Sequence, residues 1–123
     1  MAKNLTLCHN ILVLEEDAAT RNLIADALGH IDHQLIEAPD GQSALSLVRQ
    51  HRPELIVLDG AVSDTNAYDL CSQLRNMPFA SRALILFVSD DDNASQVAHA
   101  LDAGADDYLR KPFAARELRA RVD

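Results

Sequence analysis

Glu15, Glu16 and Asp17 stand together, while Asp59, Ser89 and Lys111 each stand at or just beyond the end of a separate strand-like run. Carboxylates brought close repel, and each disfavours ionisation of its neighbours. A hard divalent cation relieves that repulsion, and oxygen-only ligands favour magnesium over zinc. A carboxylate beside magnesium can act as a nucleophile toward phosphorus and form an aspartyl phosphate. A metal ion and a lysine ammonium offset the negative charge on the phosphoryl oxygens. A serine hydroxyl nearby would hydrogen-bond the product.

These side chains meet only if the elements carrying them end at one edge. "ILVL" (11–14), "LIVLD" (55–59) and "ALILFVSD" (83–90) are apolar on consecutive residues up to any polar end, as strands covered on both faces are. "QLIEA" (34–38) and "DYLRKPF" (107–113) are further strand candidates. Helical spacing recurs between them, at Leu23, Ile24, Ala27 and Leu28, then Ala44, Leu45, Leu47 and Val48, then Tyr68, Leu70, Cys71 and Leu74. "ASQVAHALDAG" is a helix stopped by Gly104 in a left-handed cap position, and "AARELRARVD" is the last helix. "PDG" (39–41) is turn chemistry opening the second helix, which Pro53 breaks.

Five alternations of strand and helix predict right-handed crossovers and a parallel sheet between helices, a doubly wound α/β domain. Ligands of such sheets bind beyond the carboxyl ends of the strands. Asp59 is therefore expected to be exposed at a functional rim while its strand is buried.

The 123 residues carry 19 acids against 11 bases, a net charge of −8, which argues against nucleic-acid binding by this domain. No apolar run approaches the ~18 residues of a membrane helix. "MAKNLTLCHN" lacks the basic and apolar regions of a secretory signal, so a cytoplasmic location is expected. Cys8 and Cys71 read as ordinary reduced thiols, and His9, His30, His33, His51 and His99 show no metal-ligand spacing. The only lysines are Lys3 and Lys111.

"ILVLEEDAATR", "PELIVLD", Ser89 and "ALDAGADDYLRKPF" occur in an order and spacing, with Ser89 30 residues after Asp59 and Lys111 22 after Ser89, that resembles the receiver domain of two-component response regulators. The resemblance covers almost the whole chain. It implies the five-stranded flavodoxin-like (β/α)5 fold with strand order 2-1-3-4-5, a single domain over 1–123. It also implies Mg2+-dependent phosphorylation of Asp59 by a sensor histidine kinase or phosphotransfer protein. Glu16, Asp59 and the Ala61 backbone carbonyl would ligate magnesium, with Glu15 acting through water. Lys111 would pair with the acids and then the phosphate, Ser89 would swing toward the phosphate, and Tyr108 would turn inward behind it. The Lys111–Pro112 peptide is expected to be cis.

The chain departs from the family in three places. Both acids of the pair are glutamates. Val62-Ser63 and Asn66-Ala67 stand where the family often has Met-Pro and Asp-Gly, a loop expected to be less rigid. Asp90 replaces the small residue after Ser89, where its charge would repel a phosphate. These changes keep open the alternative of a pseudo-receiver, an interaction module that never carries phosphate. An enzyme is the weakest reading, since no GxGxxG or P-loop is present and no second aspartate follows Asp59 by two residues; only self-catalysed phosphoryl acceptance and hydrolysis is expected. The last helix ends early at Val122-Asp123, which fits a domain excised from a longer protein with an output domain elsewhere. Asp102, Asp106, Asp107, Arg116, Arg119 and Arg121 would serve a homodimer through the fourth helix, fifth strand and fifth helix, although such charged faces are more often solvated.

Overall fold

Strands that are apolar on every residue must be covered on both sides, and the chain provides that cover. The computed structural model describes residues 10–29, 34–78, 80–91 and 93–122. Cys8, His9, His30, His33 and Lys3 lie outside them. The elements run β1 (Asn10–Leu14), α1 (Ala18–Ala27), β2 (Gln34–Ala38), α2 (Gly41–His51), β3 (Leu55–Asp59), α3 (Ala67–Asn76), β4 (Leu84–Ser89), α4 (Ala94–Ala103), β5 (Asp107–Arg110) and α5 (Ala115–Val122). The strands form one parallel sheet in the order β2-β1-β3-β4-β5, as expected.

Successive strand residues point to opposite faces, so each central strand feeds two cores. Leu12, Leu14, Ile56, Leu58, Ile85 and Phe87 pack with residues of α2, α3 and α4, among them Val48, Leu70, Leu74 and Ala100. Ile11, Val13, Leu55, Val57, Leu86 and Val88 pack with Ile24 and Ala27 of α1 and Leu118 and Val122 of α5. Burying each such side chain contributes about 1.5–3 kcal/mol.

Helix starts are capped by side chains. Asp17 accepts the Thr20 N–H at 2.9 Å, Asp40 that of Ser43 at 2.7 Å and Asn93 that of Ser95 at 2.8 Å. Asn66 accepts from both Tyr68 and Asp69. Each cap stabilises its helix by about 1 kcal/mol. Arg52 closes α2 in a left-handed conformation (φ 49°), just before Pro53.

Arg75 on α3 ties the start of β4 to the turn after α4. Its guanidinium donates to the carbonyls of Ala83 (2.8 Å), Ser81 (3.0 Å) and Gly104 (2.7 Å) and pairs with Asp106 at 2.7 Å. Gly104 has φ 122°, and a Cβ there would stand 3.0 Å from Arg75 Cβ. Only glycine meets both conditions.

Candidate functional site

The registers Leu14↔Leu58, Asp59↔Val88 and Ser89↔Arg110 bring the carboxyl ends of β1, β3, β4 and β5 level. Glu15, Asp59, Ser89 and Lys111 are thereby delivered to one edge. Lys111 Nζ lies 2.6 Å from Glu15 Oε1 and 3.1 Å from Asp59 Oδ1. The Ala61 N–H donates to Asp59 Oδ1 at 3.0 Å. The Lys111–Pro112 peptide is cis.

One expectation is corrected. Asp59 is not exposed at the rim: it is 4% exposed and Glu15 1%. The turn after β3 folds the Ala61 amide back onto Asp59, and Lys111 lies against it. Gly60 makes that turn possible, because a Cβ there would stand 2.7 Å from Phe87 Cε1.

Two buried carboxylates and one ammonium cannot all titrate independently. Burial, then the nearby Asp59, pushes Glu15 up to about 7. Burial also acts to raise Asp59, but hydrogen bonds with Glu15 and Ala61 and the charge of Lys111 outweigh it, so Asp59 is held below the usual carboxylate range. Lys111 is raised: burial opposes its charge, and the two carboxylates more than restore it. The resting site therefore holds an ionised Asp59, a cationic Lys111 and a readily protonated Glu15.

A stability effect follows. Between the ordinary glutamate value of 4.5 and about 7, the folded chain keeps a Glu15 proton that the unfolded chain releases. That contribution is fully present below 4.5 and is lost as pH rises through about 7. In the presence of a chelator, urea midpoints of wild type are expected to fall relative to those of Glu15→Gln as pH rises across this window. Parallel curves for the two proteins would contradict it.

The remaining expected residues divide. Glu16 is exposed and turns to the β3–α3 loop, where its Oε1 accepts the Ser63 N–H at 3.0 Å and the Ser63 hydroxyl at 2.8 Å. Asp17 caps α1. The Ser89 hydroxyl accepts the Asp91 N–H at 3.2 Å. Tyr108 is buried, stacks on Phe87 with centroids 5.6 Å apart, and donates its hydroxyl to the Asp91 carbonyl. Asp90 lines, with Thr20, Leu23, Lys111, Pro112 and Phe113, a groove of about 270 Å³ beside the site. Of the charged residues considered for a dimer face, Asp106 pairs with Arg75, and Asp107 with Arg121 at 3.3 Å, all within the chain.

Sequence reasoning missed four contributors. Arg21 donates to the backbone carbonyls of Glu15 (3.0 Å) and Glu16 (3.4 Å), steadying the acidic turn. Ser63 holds Glu16, and Asp64 accepts the N–H groups of Gly41 and Gln42 at the start of α2. The β3–α3 loop, lacking its proline and glycine, is thus fastened by side chains instead. Tyr68 stacks between Phe87 (5.2 Å) and His99 (3.9 Å) and hydrogen-bonds Gln96. Its spacing marked it only as part of a helix, and the fold shows that it joins α3 to α4.

Among the described residues, no group of three or more His, Cys, Asp or Glu side chains stands ready to hold a metal ion. The donor chemistry still suits a hard cation. Both buried Glu15 oxygens lack a hydrogen-bond donor of good geometry, Lys111 notwithstanding, and Asp59 lies beside them. A site of two carboxylates, with oxygen as its only donor atom, fits magnesium better than zinc.

A doubly wound α/β domain with an acidic, lysine-bridged site at its carboxyl edge is the architecture of a signalling receiver. A family model for the response regulator receiver domain matches residues 11–123. The chain is 38% identical over 112 residues to the response regulator MprA of Mycolicibacterium vanbaalenii, covering 91% of this chain and 48% of that protein. It is 35% identical over 112 residues to ycf27 of Porphyridium aerugineum, named a probable transcriptional regulator, covering 91% and 45%. The chain spans about half the length of these curated relatives. Among solved structures, it matches a two-component response regulator from Clostridium difficile with a TM-score of 0.84 at 24% identity, over 93% of this chain and 92% of that one. It matches the BeF3-activated DrrB receiver domain of Thermotoga maritima with a TM-score of 0.84 at 22% identity, over 94% and 95%. These two likenesses are of fold. The chain belongs to the response regulator receiver domain family and is a receiver domain of two-component signalling.

Proposed function

We propose that Asp59 accepts a phosphoryl group from a phosphohistidine of a sensor histidine kinase or phosphotransfer protein, in a Mg2+-dependent step. The observation that carries this reading is the buried Asp59 carboxylate 3.1 Å from Lys111 at the carboxyl edge of the sheet. Asp59 Oδ1 is held by Ala61 and Lys111, so attack falls to Oδ2. A new O–P bond forms as the donor's N–P bond breaks, and the imidazole leaves with that electron pair. Glu16, Asp59 and the Ala61 carbonyl, with Glu15 mostly through water, would hold Mg2+, which would supply charge screening for the transferred group. Lys111 exchanges its carboxylate partners for a phosphoryl oxygen.

The product carries about −1.5 to −2 charges where the ionised Asp59 carboxylate carried a single one. Ser89 then turns its hydroxyl toward the phosphate and releases the Asp91 N–H. The Asp91 carbonyl is the group Tyr108 holds, so the β4–α4 segment and the face around β5 are the element that phosphorylation biases. Chemistry beyond acceptance and hydrolysis of this one phosphate is not part of the reading. The protein works in the cytoplasm, passes its signal to a covalently linked output domain, and uses the α4–β5–α5 face for any self-association. No helix among the described residues is long and apolar enough to cross a membrane.

The competing pseudo-receiver reading rests on Glu16, which is bonded to Ser63. Beryllofluoride, a phosphoryl mimic, separates the two. Bound 19F resonances are expected on the wild type with Mg2+ and are expected to vanish with chelator. Their absence at every Mg2+ concentration would favour the pseudo-receiver.

A further inference from the structure

Glu15, Glu16 and Asp59 do not gather into a cluster that could hold a metal ion among the described residues, and Glu16 is turned to the loop. It is one methylene longer than aspartate, and its Oε1 reaches the β3–α3 loop, where one residue supplies both of its donors. The backbone donor exists only because residue 63 is not proline. Ser63 is itself held in place, since Asp64 beside it is bonded to two N–H groups of α2 at 2.8 and 3.1 Å. Glu16 is therefore tied to a fixed post. Among the described residues, the neighbouring Glu15–Asp59 pair meanwhile has only Lys111 within ion-pair distance.

We propose that Ser63 is a positioning residue that holds Glu16 away from Glu15 and Asp59, so that a divalent cation must break the Glu16–Ser63 contact to bind fully. The contact acts as a latch: the free energy of its two hydrogen bonds is subtracted from metal affinity. Metal binding in turn frees Ser63, so occupancy of the site is transmitted to the β3–α3 loop and through Asp64 to the start of α2. This inference rests on the metal-dependent reading of the site.

The test is Mg2+ binding by isothermal titration calorimetry on the whole chain. Ser63 is exposed, and Ser63→Ala removes the hydroxyl donor without disturbing the core. Losing one such bond is expected to tighten Mg2+ binding about fivefold, with a larger gain for Ser63→Pro, which removes both donors. Ser63→Thr keeps the hydroxyl and is expected to bind as wild type does. In a Glu16→Asp background the carboxylate falls short of the loop, and Ser63→Ala is expected to change nothing. A merely structural role for Ser63 would survive that background and would not be rescued by threonine.

Equal or weaker binding by Ser63→Ala, with wild type binding normally, overturns the latch and leaves the metal reading intact. Absence of Mg2+ binding in every variant overturns both. Binding by Ser63→Pro where wild type shows none supports the latch in its strongest form.

Discussion

Lys111→Ala is expected to destabilise the fold by about 3 kcal/mol and to slow phosphoryl acceptance about a hundredfold or more. The first effect follows from burial. Glu15 and Asp59 are almost fully enclosed, and Lys111 Nζ is the only cation within ion-pair distance of either among the described residues. Removing one partner of a buried pair costs about 3–5 kcal/mol, and the 20% exposure of the Lys111 side chain places this case at the lower end. Proton uptake by the two acids recovers part of the loss, so the deficit should grow as pH rises. Glu15→Gln added to Lys111→Ala is expected to restore stability, because one buried charge then disappears. The second effect arises because the same ammonium must face the phosphoryl oxygens as charge shifts onto them. Urea unfolding checks the first effect, and the rate of adduct formation from acetyl phosphate the second. A Lys111→Ala protein as stable as wild type would show that the acids find other compensation.

Phe87→Ala is expected to cost about 3–5 kcal/mol, lowering the melting temperature by roughly 10–20 °C. Phe87 is fully buried and lies between two rings, Tyr68 at 5.2 Å and Tyr108 at 5.6 Å. It also backs Gly60, the residue after Asp59. The cavity therefore opens beneath the acceptor turn and between α3 and β5 at once. Tyr68 would lose its inner face while keeping His99 and Gln96, and Tyr108 would lose the surface it rests on. Phe87→Leu fills more of the space and is expected to cost under about half as much. Thermal and urea unfolding measure both. A small loss for Phe87→Ala would mean that the two tyrosines collapse into the gap.

Much of the fold was legible because its strands speak a simple code. Consecutive apolar residues at 11–14, 55–58 and 83–88 belong to strands covered twice, and both cores in the structure are built on them. Pro53 and Gly104 marked helix ends that the structure places where expected. The core of the site was legible too, since Asp59, Ser89 and Lys111 each end or follow a strand of the same parallel sheet. What escaped was set by long-range geometry. The burial of Asp59 depends on Ala61 and Lys111 lying against it, and composition carries no sign of that. The Glu16–Ser63 contact spans 47 residues, and neither residue alone is unusual. Tyr68 fell at helical spacing, yet its stack with His99 exists only because α3 and α4 run side by side.

The central claim is that Asp59 is a phosphoacceptor, and intact mass after incubation with acetyl phosphate and Mg2+ tests it most directly. Wild type is expected to gain the mass of one phosphoryl group, only when Mg2+ is present, and Asp59→Ala is expected to gain none. No adduct on the wild type, or the same adduct on Asp59→Ala, would contradict the account.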